Sequence, residues 1–247
     1  MRKTLIAALA ALTSLAVAPA VVAQTAQEGP GAEVTVSISP TDAGTKTKPK
    51  PVKLNLKLVN EDSSQTADSI KVFVGKNLKA STTGLKKCSA TKLEANGKSA
   101  CPRASRIGRG SADAIAGVNT ASPASLKFNI TAFVIGTNQL GFYLEQQGGE
   151  IRVLSKGKFK RSSGLYGSVL DIDIPQLARE FPSGVYNGLV GFETSLYKKV
   201  GSRSLFKTNG CPSNRTLPFK LTIGFQANPN PPKANTVSAL GGADCKK

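Results

Sequence analysis

Val52-Lys53-Leu54-Asn55-Leu56-Lys57-Leu58 decides the fold class. Apolar and polar residues alternate across it without a fault. In an extended strand that places Val52, Leu54, Leu56 and Leu58 on one face and Lys53, Asn55 and Lys57 on the other. A helix would scatter the four apolar side chains around its circumference, so the stretch predicts a half-buried strand. Residues 33–39 upstream alternate in the same way, and residues 70–74 downstream read as another strand. Residues 107–116 form a Gly/Ala-rich strand candidate, and residues 126–135 lead through Gly136-Thr137-Asn138 into 140–144 as a hairpin. Residues 151–154, 165–174, 185–197 and 217–225 supply further strands.

About ten short strands with turn signals between them, and no strand–helix alternation, predict an all-β protein. The expected architecture is an antiparallel β-sandwich, immunoglobulin-like or jelly-roll-like, with one short disulfide-bridged helix. The other helical hint is Pro175-Gln176-Leu177-Ala178-Arg179-Glu180-Phe181, with proline at a first-turn position and Pro182 as the stop. No internal repeat of fixed period is present. The expected organisation is a signal peptide over residues 1–23, an N-terminal strand and Lys/Pro linker over 24–51, and the sandwich domain over 52–247.

The leader reading rests on Arg2 and Lys3 ahead of an apolar stretch, residues 5–17, that runs into Ala18-Pro19-Ala20-Val21-Val22-Ala23. A charged start, a short apolar run and a small-residue site make a secretory signal, with the cut expected between Ala23 and Gln24. Thr13, Ser14 and Pro19 argue against an uncleaved span, which wants about 20 firmly apolar residues. The expectation is a secreted, extracellular protein, cell-wall associated, with no membrane span after cleavage.

All four cysteines, Cys88, Cys101, Cys211 and Cys245, lie beyond the leader, and an even number in an oxidising compartment reads as two disulfides. Three pairings are open. Local closure favours Cys88–Cys101 and Cys211–Cys245, because sequence neighbours have the least loop entropy to overcome. Between the first two, Ser89 is a helix N-cap and Asn96-Gly97 a stop, so a one- or two-turn helix is expected there. With no Cys-x-x-Cys pair and no histidine, metal binding by the thiols is not expected, and no cofactor is.

Lys87-Cys88-Ser89, Leu93-Glu94, Ser99-Ala100-Cys101-Pro102 and Ser105-Arg106-Ile107-Gly108-Arg109-Gly110-Ser111-Ala112 make a distinctive series, followed later by Asn209-Gly210-Cys211-Pro212. The series resembles a group of secreted actinobacterial proteins with a Cys-Ser…Leu-Glu…Cys-Pro…Ile-Gly-x-Gly pattern, over roughly residues 50 to 247. The resemblance implies an extracellular β-rich domain and brings no catalytic residues with it.

Of the 247 residues, 40% are hydrophobic and 6% aromatic, enough to bury a core and too rich in apolar runs for disorder. The absence of histidine excludes Ser-His-Asp and Cys-His nucleophiles and every His-ligated zinc site. Asp171 and Asp173 share one strand face and are the candidate carboxylate pair for an extracellular glycan hydrolase, although zero Trp and four Tyr leave few sugar platforms. Glu145 and Glu150 read as the flanks of a hairpin tip. Ser163-Gly164, Gly167-Ser168 and Ser183-Gly184 lack a nucleophile elbow, and Gly108-x-Gly110 lacks the third glycine of a dinucleotide site.

Charge is the bulk feature with a physical consequence: 33 Lys+Arg against 15 Asp+Glu give a net +18, two of those cations lying in the leader. Lys156, Lys158, Lys160 and Arg161 read as four cations on one turn, short of local carboxylates. More cations, Lys86 and Lys87 through Arg109, crowd around the first disulfide. Such a field attracts polyanions. The functional expectation is therefore a non-enzymatic interaction module for anionic cell-envelope polymers, with the hydrolase as alternative. Specific nucleic-acid binding is not expected, since interleaved aromatics for base stacking are missing.

Overall fold

Faultless alternation turns into sheet almost everywhere it occurs. The computed structural model describes residues 31–227 and 235–247, so the expected signal peptide lies outside the described residues. In chain order the strands are β1 (Ala32–Ser39), β2 (Lys50–Pro51), β3 (Lys53–Asn60), β4 (Ala67–Gly75), β5 (Leu78–Ala80), β6 (Arg106–Ala116), β7 (Ala124–Gly136) and β8 (Gln139–Gln146). They continue as β9 (Arg152–Arg161), β10 (Tyr166–Asp173), β11 (Asn187–Leu196), β12 (Lys199–Val200), β13 (Arg203–Ser204), β14 (Phe206–Thr208), β15 (Thr216–Phe225) and β16 (Asn235–Asp244). Two short helices, α1 (Ala90–Asn96) and α2 (Gln176–Arg179), interrupt them.

Eleven strands form one antiparallel sheet in the order β1-β3-β11-β6-β7-β8-β9-β10-β4-β15-β16. The sheet curls until its ends meet. A Cβ on Gly241 of β16 would stand 3.1 Å from Val34 Cγ1 of β1. Just past these strands the chain ends exchange backbone bonds, Ala43 N donating to Lys246 O at 2.8 Å and Lys246 N to Thr41 O at 2.9 Å. The two halves are flattened on each other: Leu54, Leu56, Phe192 and Leu196 face Val72, Val74, Leu170 and Ile172 across the interior. The all-β antiparallel sandwich is thus a single sheet folded over, nearly a closed barrel.

Three readings of the sequence need correction. Strand β1 pairs with β3 along its whole length, from Ala32↔Asn60 to Ser39↔Lys53, and Lys50–Pro51 pairs with β14. Residues 32–51 therefore belong to the sandwich and are not a segment ahead of it. Residues 156–161 are no turn but the second half of β9, hydrogen-bonded to β8 and β10. Strand β16 carries no strand signal in the sequence, because Leu240-Gly241-Gly242-Ala243 has little β-propensity; Gly241 fits there because β1 crowds that edge, and Gly242 because Thr216 of β15 does.

One end of the barrel is plugged. Strand β14 carries Phe206, buried, whose ring meets Phe159 edge-on at 6.1 Å, and Leu205 and Leu78 fill the space beside it. On the outside, Cys88 is bonded to Cys101 across α1, which clamps Leu93 onto Phe133, Tyr143 and Leu154 of β7, β8 and β9. Ser89 Oγ caps the helix by accepting from Lys92 N at 3.2 Å, and Gly97 ends it at φ 71. Cys211 is bonded to Cys245, tying the β14–β15 connection to the C-terminal end of β16.

Candidate binding surfaces

Register sorts the loops to two ends. Leu54, Gly108 and Leu196 lie abreast, as do Gly75 with Tyr166 and Gln139 with Lys158; this is the plugged end, here the base. Ala116 with Ala124 and Asn187, Glu145 with Arg152, and Asp173 with Ser69 mark the other, the mouth.

The charges divide the same way. Residues 75–88, 158–167 and 196–210 at the base hold eleven Lys and Arg and no Asp or Glu. Residues 60–68, 113–124, 144–152 and 173–187 at the mouth hold eight Asp and Glu against two cations, Arg152 and Arg179. Of the five exposed large apolar side chains among the described residues, Leu165, Tyr197 and Val200 stand among the base cations.

Because 156–161 is strand, Lys156, Lys158 and Lys160 project from the outer face of β9 while Gly157 and Phe159 point inward. Their expected lack of carboxylates is also corrected. Lys156 Nζ reaches Glu94 of α1 at 2.7 Å, and Lys160 Nζ reaches Asp171 of β10 at 2.5 Å. Lys158 and Arg161 make no ion pair among the described residues. Two of the cations near the first disulfide serve packing, Lys98 pairing with Glu145 and Arg106 lying 5.9 Å over the Phe133 ring.

Asp171 and Asp173 do share a face, the outer one. Asp171 stands opposite Lys158 and Lys71, and Asp173 opposite Lys156 and Ser69, with Leu170 and Ile172 turned to the core. Neither aspartate lines the apolar cup or the interior space between the two halves, and Lys71, Lys156 and Lys158 stand beside the pair on the outer face.

The mouth leads into an apolar cup of about 110 Å³ between β7, β8, β9, β10 and β11, with α2 at its rim. Phe128, Ile130, Phe142, Ile172 and Phe192 form its walls, and Leu177 and Ala178 overhang it. Two polar residues interrupt the lining, Ser155 and Asn187. Asn187 Nδ2 donates to Ala178 O at 3.2 Å, which anchors α2, while its Oδ1 is buried without a partner. Nothing in the sequence announces this cup, because its lining comes from six or more segments that only the register brings together.

Two titrations are perturbed near these features. Burial, reinforced by the Glu145 charge, holds the Tyr143 phenol above its ordinary value of 10.0. Hydrogen bonds from Ser64 and Gln65 hold the Asp62 carboxyl below its ordinary value.

No family model matches the chain, and comparison with curated proteins and with solved structures finds no match. The surfaces themselves carry the functional argument.

Proposed function

We propose that this is a secreted, non-enzymatic sandwich protein that associates with anionic polymers of the cell envelope through its base. One observation carries the reading: segments 75–88, 158–167 and 196–210 at one end of the barrel hold eleven cations and no carboxylate, and the β1–β3 connection at that end adds Lys46, Lys48 and Lys50 against Asp42. A cluster of one sign on a low-dielectric body draws in polyanions and speeds their capture. Of the eleven, Lys158 and Arg161 make no ion pair among the described residues, whereas Lys160 is partly neutralised by Asp171, as Lys156 further along β9 is by Glu94. Export is supported by the leader-like first 23 residues, by the pairing of all four cysteines, and by the likeness of the first Cys motif to secreted actinobacterial proteins.

The test is retention on immobilised polyphosphate and on wall fragments that carry phosphodiester polymers, eluted by a salt gradient. The triple variant Lys198→Gln/Lys199→Gln/Arg203→Gln should elute at clearly lower salt than the parent. The double variant Lys127→Gln/Arg152→Gln, which removes cations from the mouth half, should elute with the parent. The Debye length shrinks from about 10 Å at 0.1 M salt to about 3 Å at 1 M, so no retention should survive 1 M. Retention at 1 M salt, or equal loss in both variants, would refute the assignment.

A further inference from the structure

We infer that the cup at the mouth is a ligand site for a small neutral hydrocarbon bearing one hydroxyl group, of about the size of a six-carbon alcohol. The size follows from the volume. A Leu/Ile/Phe-lined cavity of about 150 Å³ takes a benzene, so about 110 Å³ encloses roughly four carbons of a six-carbon chain whose end lies in the open mouth, and not a long acyl tail. The preference for hydrocarbon follows from walls of Phe128, Ile130, Phe142, Ile172 and Phe192.

The hydroxyl follows from what the cup leaves unpaired. Asn187 lines the cup, but its Nδ2 is engaged by Ala178 O and its Oδ1 has no accessible surface, so the amide serves to hold α2 over the opening. Ser155 lines the same cup, is buried, and makes no side-chain hydrogen bond among the described residues. A buried hydroxyl without a partner is unfavourable, and an incoming O–H that bonds to it relieves this. Exclusion of anions follows from the rest of the lining. In a chain of net +18, no Lys or Arg among the described residues lines the cup, and the surrounding mouth segments are acidic. A carboxylate in the cup would touch no cation, and at the mouth Arg152 and Arg179 are outnumbered by Asp173, Glu145, Glu150 and Glu180. The site is separate from the base and does not depend on polymer binding there.

Methyl-labelled full-length mature protein, titrated with hexan-1-ol, hexanoate and hexane and followed by two-dimensional NMR, tests this. Hexan-1-ol should shift the methyls of Ile151, Ile172, Leu144 and Leu189 saturably. Hexanoate at pH 7 should bind at least tenfold more weakly than the alcohol, and the gap should narrow below pH 5 as the acid becomes neutral. Ala178→Phe, which fills the rim from α2 and leaves the sheet untouched, should abolish the shifts while keeping a dispersed spectrum. Ser155→Ala should bring the alcohol's affinity down towards that of the alkane while leaving the alkane's own binding unchanged. Absence of saturable shifts with the alcohol, hexanoate binding as tightly as hexan-1-ol at pH 7, or unchanged binding in Ala178→Phe would each overturn the inference.

Discussion

Gly108 and Gly110 sit where β6 runs closest to β11. A Cβ on Gly108 would stand 2.3 Å from Ser195 O, and one on Gly110 would stand 1.9 Å from Glu193 O. The Gly-x-Gly spacing that superficially suggests phosphate binding is therefore a packing requirement of two neighbouring backbones. Gly110→Ala should part the β6–β11 ladder and cost about 3 kcal/mol, while Ser111→Ala on the exposed neighbour should stay within about 0.5 kcal/mol. Urea unfolding of the two variants reads the difference. Tyr143 makes a second prediction at this scale. Its folded-state pKa lies above the unfolded value of 10.0, so the neutral phenol is the form the fold prefers. The associated stability is intact below about pH 10 and is lost as the pH rises through the folded value. The urea midpoint of the parent should therefore fall more steeply between about pH 9 and 11 than that of Tyr143→Phe.

At the scale of elements, the two disulfides do different work. Cys88–Cys101 spans 13 residues and holds α1 as a cover over Phe133, Tyr143 and Leu154, whereas Cys211–Cys245 spans 34 and fastens the seam end of the barrel. In the chain-entropy view their removal costs about 3 and about 4 kcal/mol, the longer loop losing more. Cys88→Ala/Cys101→Ala and Cys211→Ala/Cys245→Ala, compared by denaturant midpoint, should rank in that order; equal losses would point to packing under α1 as the larger contribution. Legibility in the sequence also divides by element. Strands with a clean period of two, such as β1 and β3, could be read directly, and so could the Ser89-capped helix. Strand β9 was read as apolar only to Leu154, because the basic residues beyond it look like a solvated turn until β8 and β10 pair with them. Strand β16 lacked the apolar side chains that mark a strand, since the crowding of its neighbour β1 is a tertiary fact.

For the whole molecule, the sequence shows how much positive charge there is but not where it goes. Lys76, Lys160 and Lys198 are far apart in the chain, and only the antiparallel register collects their loops at one end. The cup is invisible for the same reason: Ser155 and Asn187 look like ordinary strand residues until the sheet curls. Segregation of charge along the barrel gives the molecule a head and a tail. A uniformly basic sphere would settle on an anionic layer at any angle, but this one is pulled down by its base while its acidic rim is pushed off. It would stand upright, like a bottle on a shelf, with the neck turned to the medium. Each adsorbed copy would then hold its opening clear of the layer beneath it, and a coating of such molecules would have one texture toward the wall and another toward the outside.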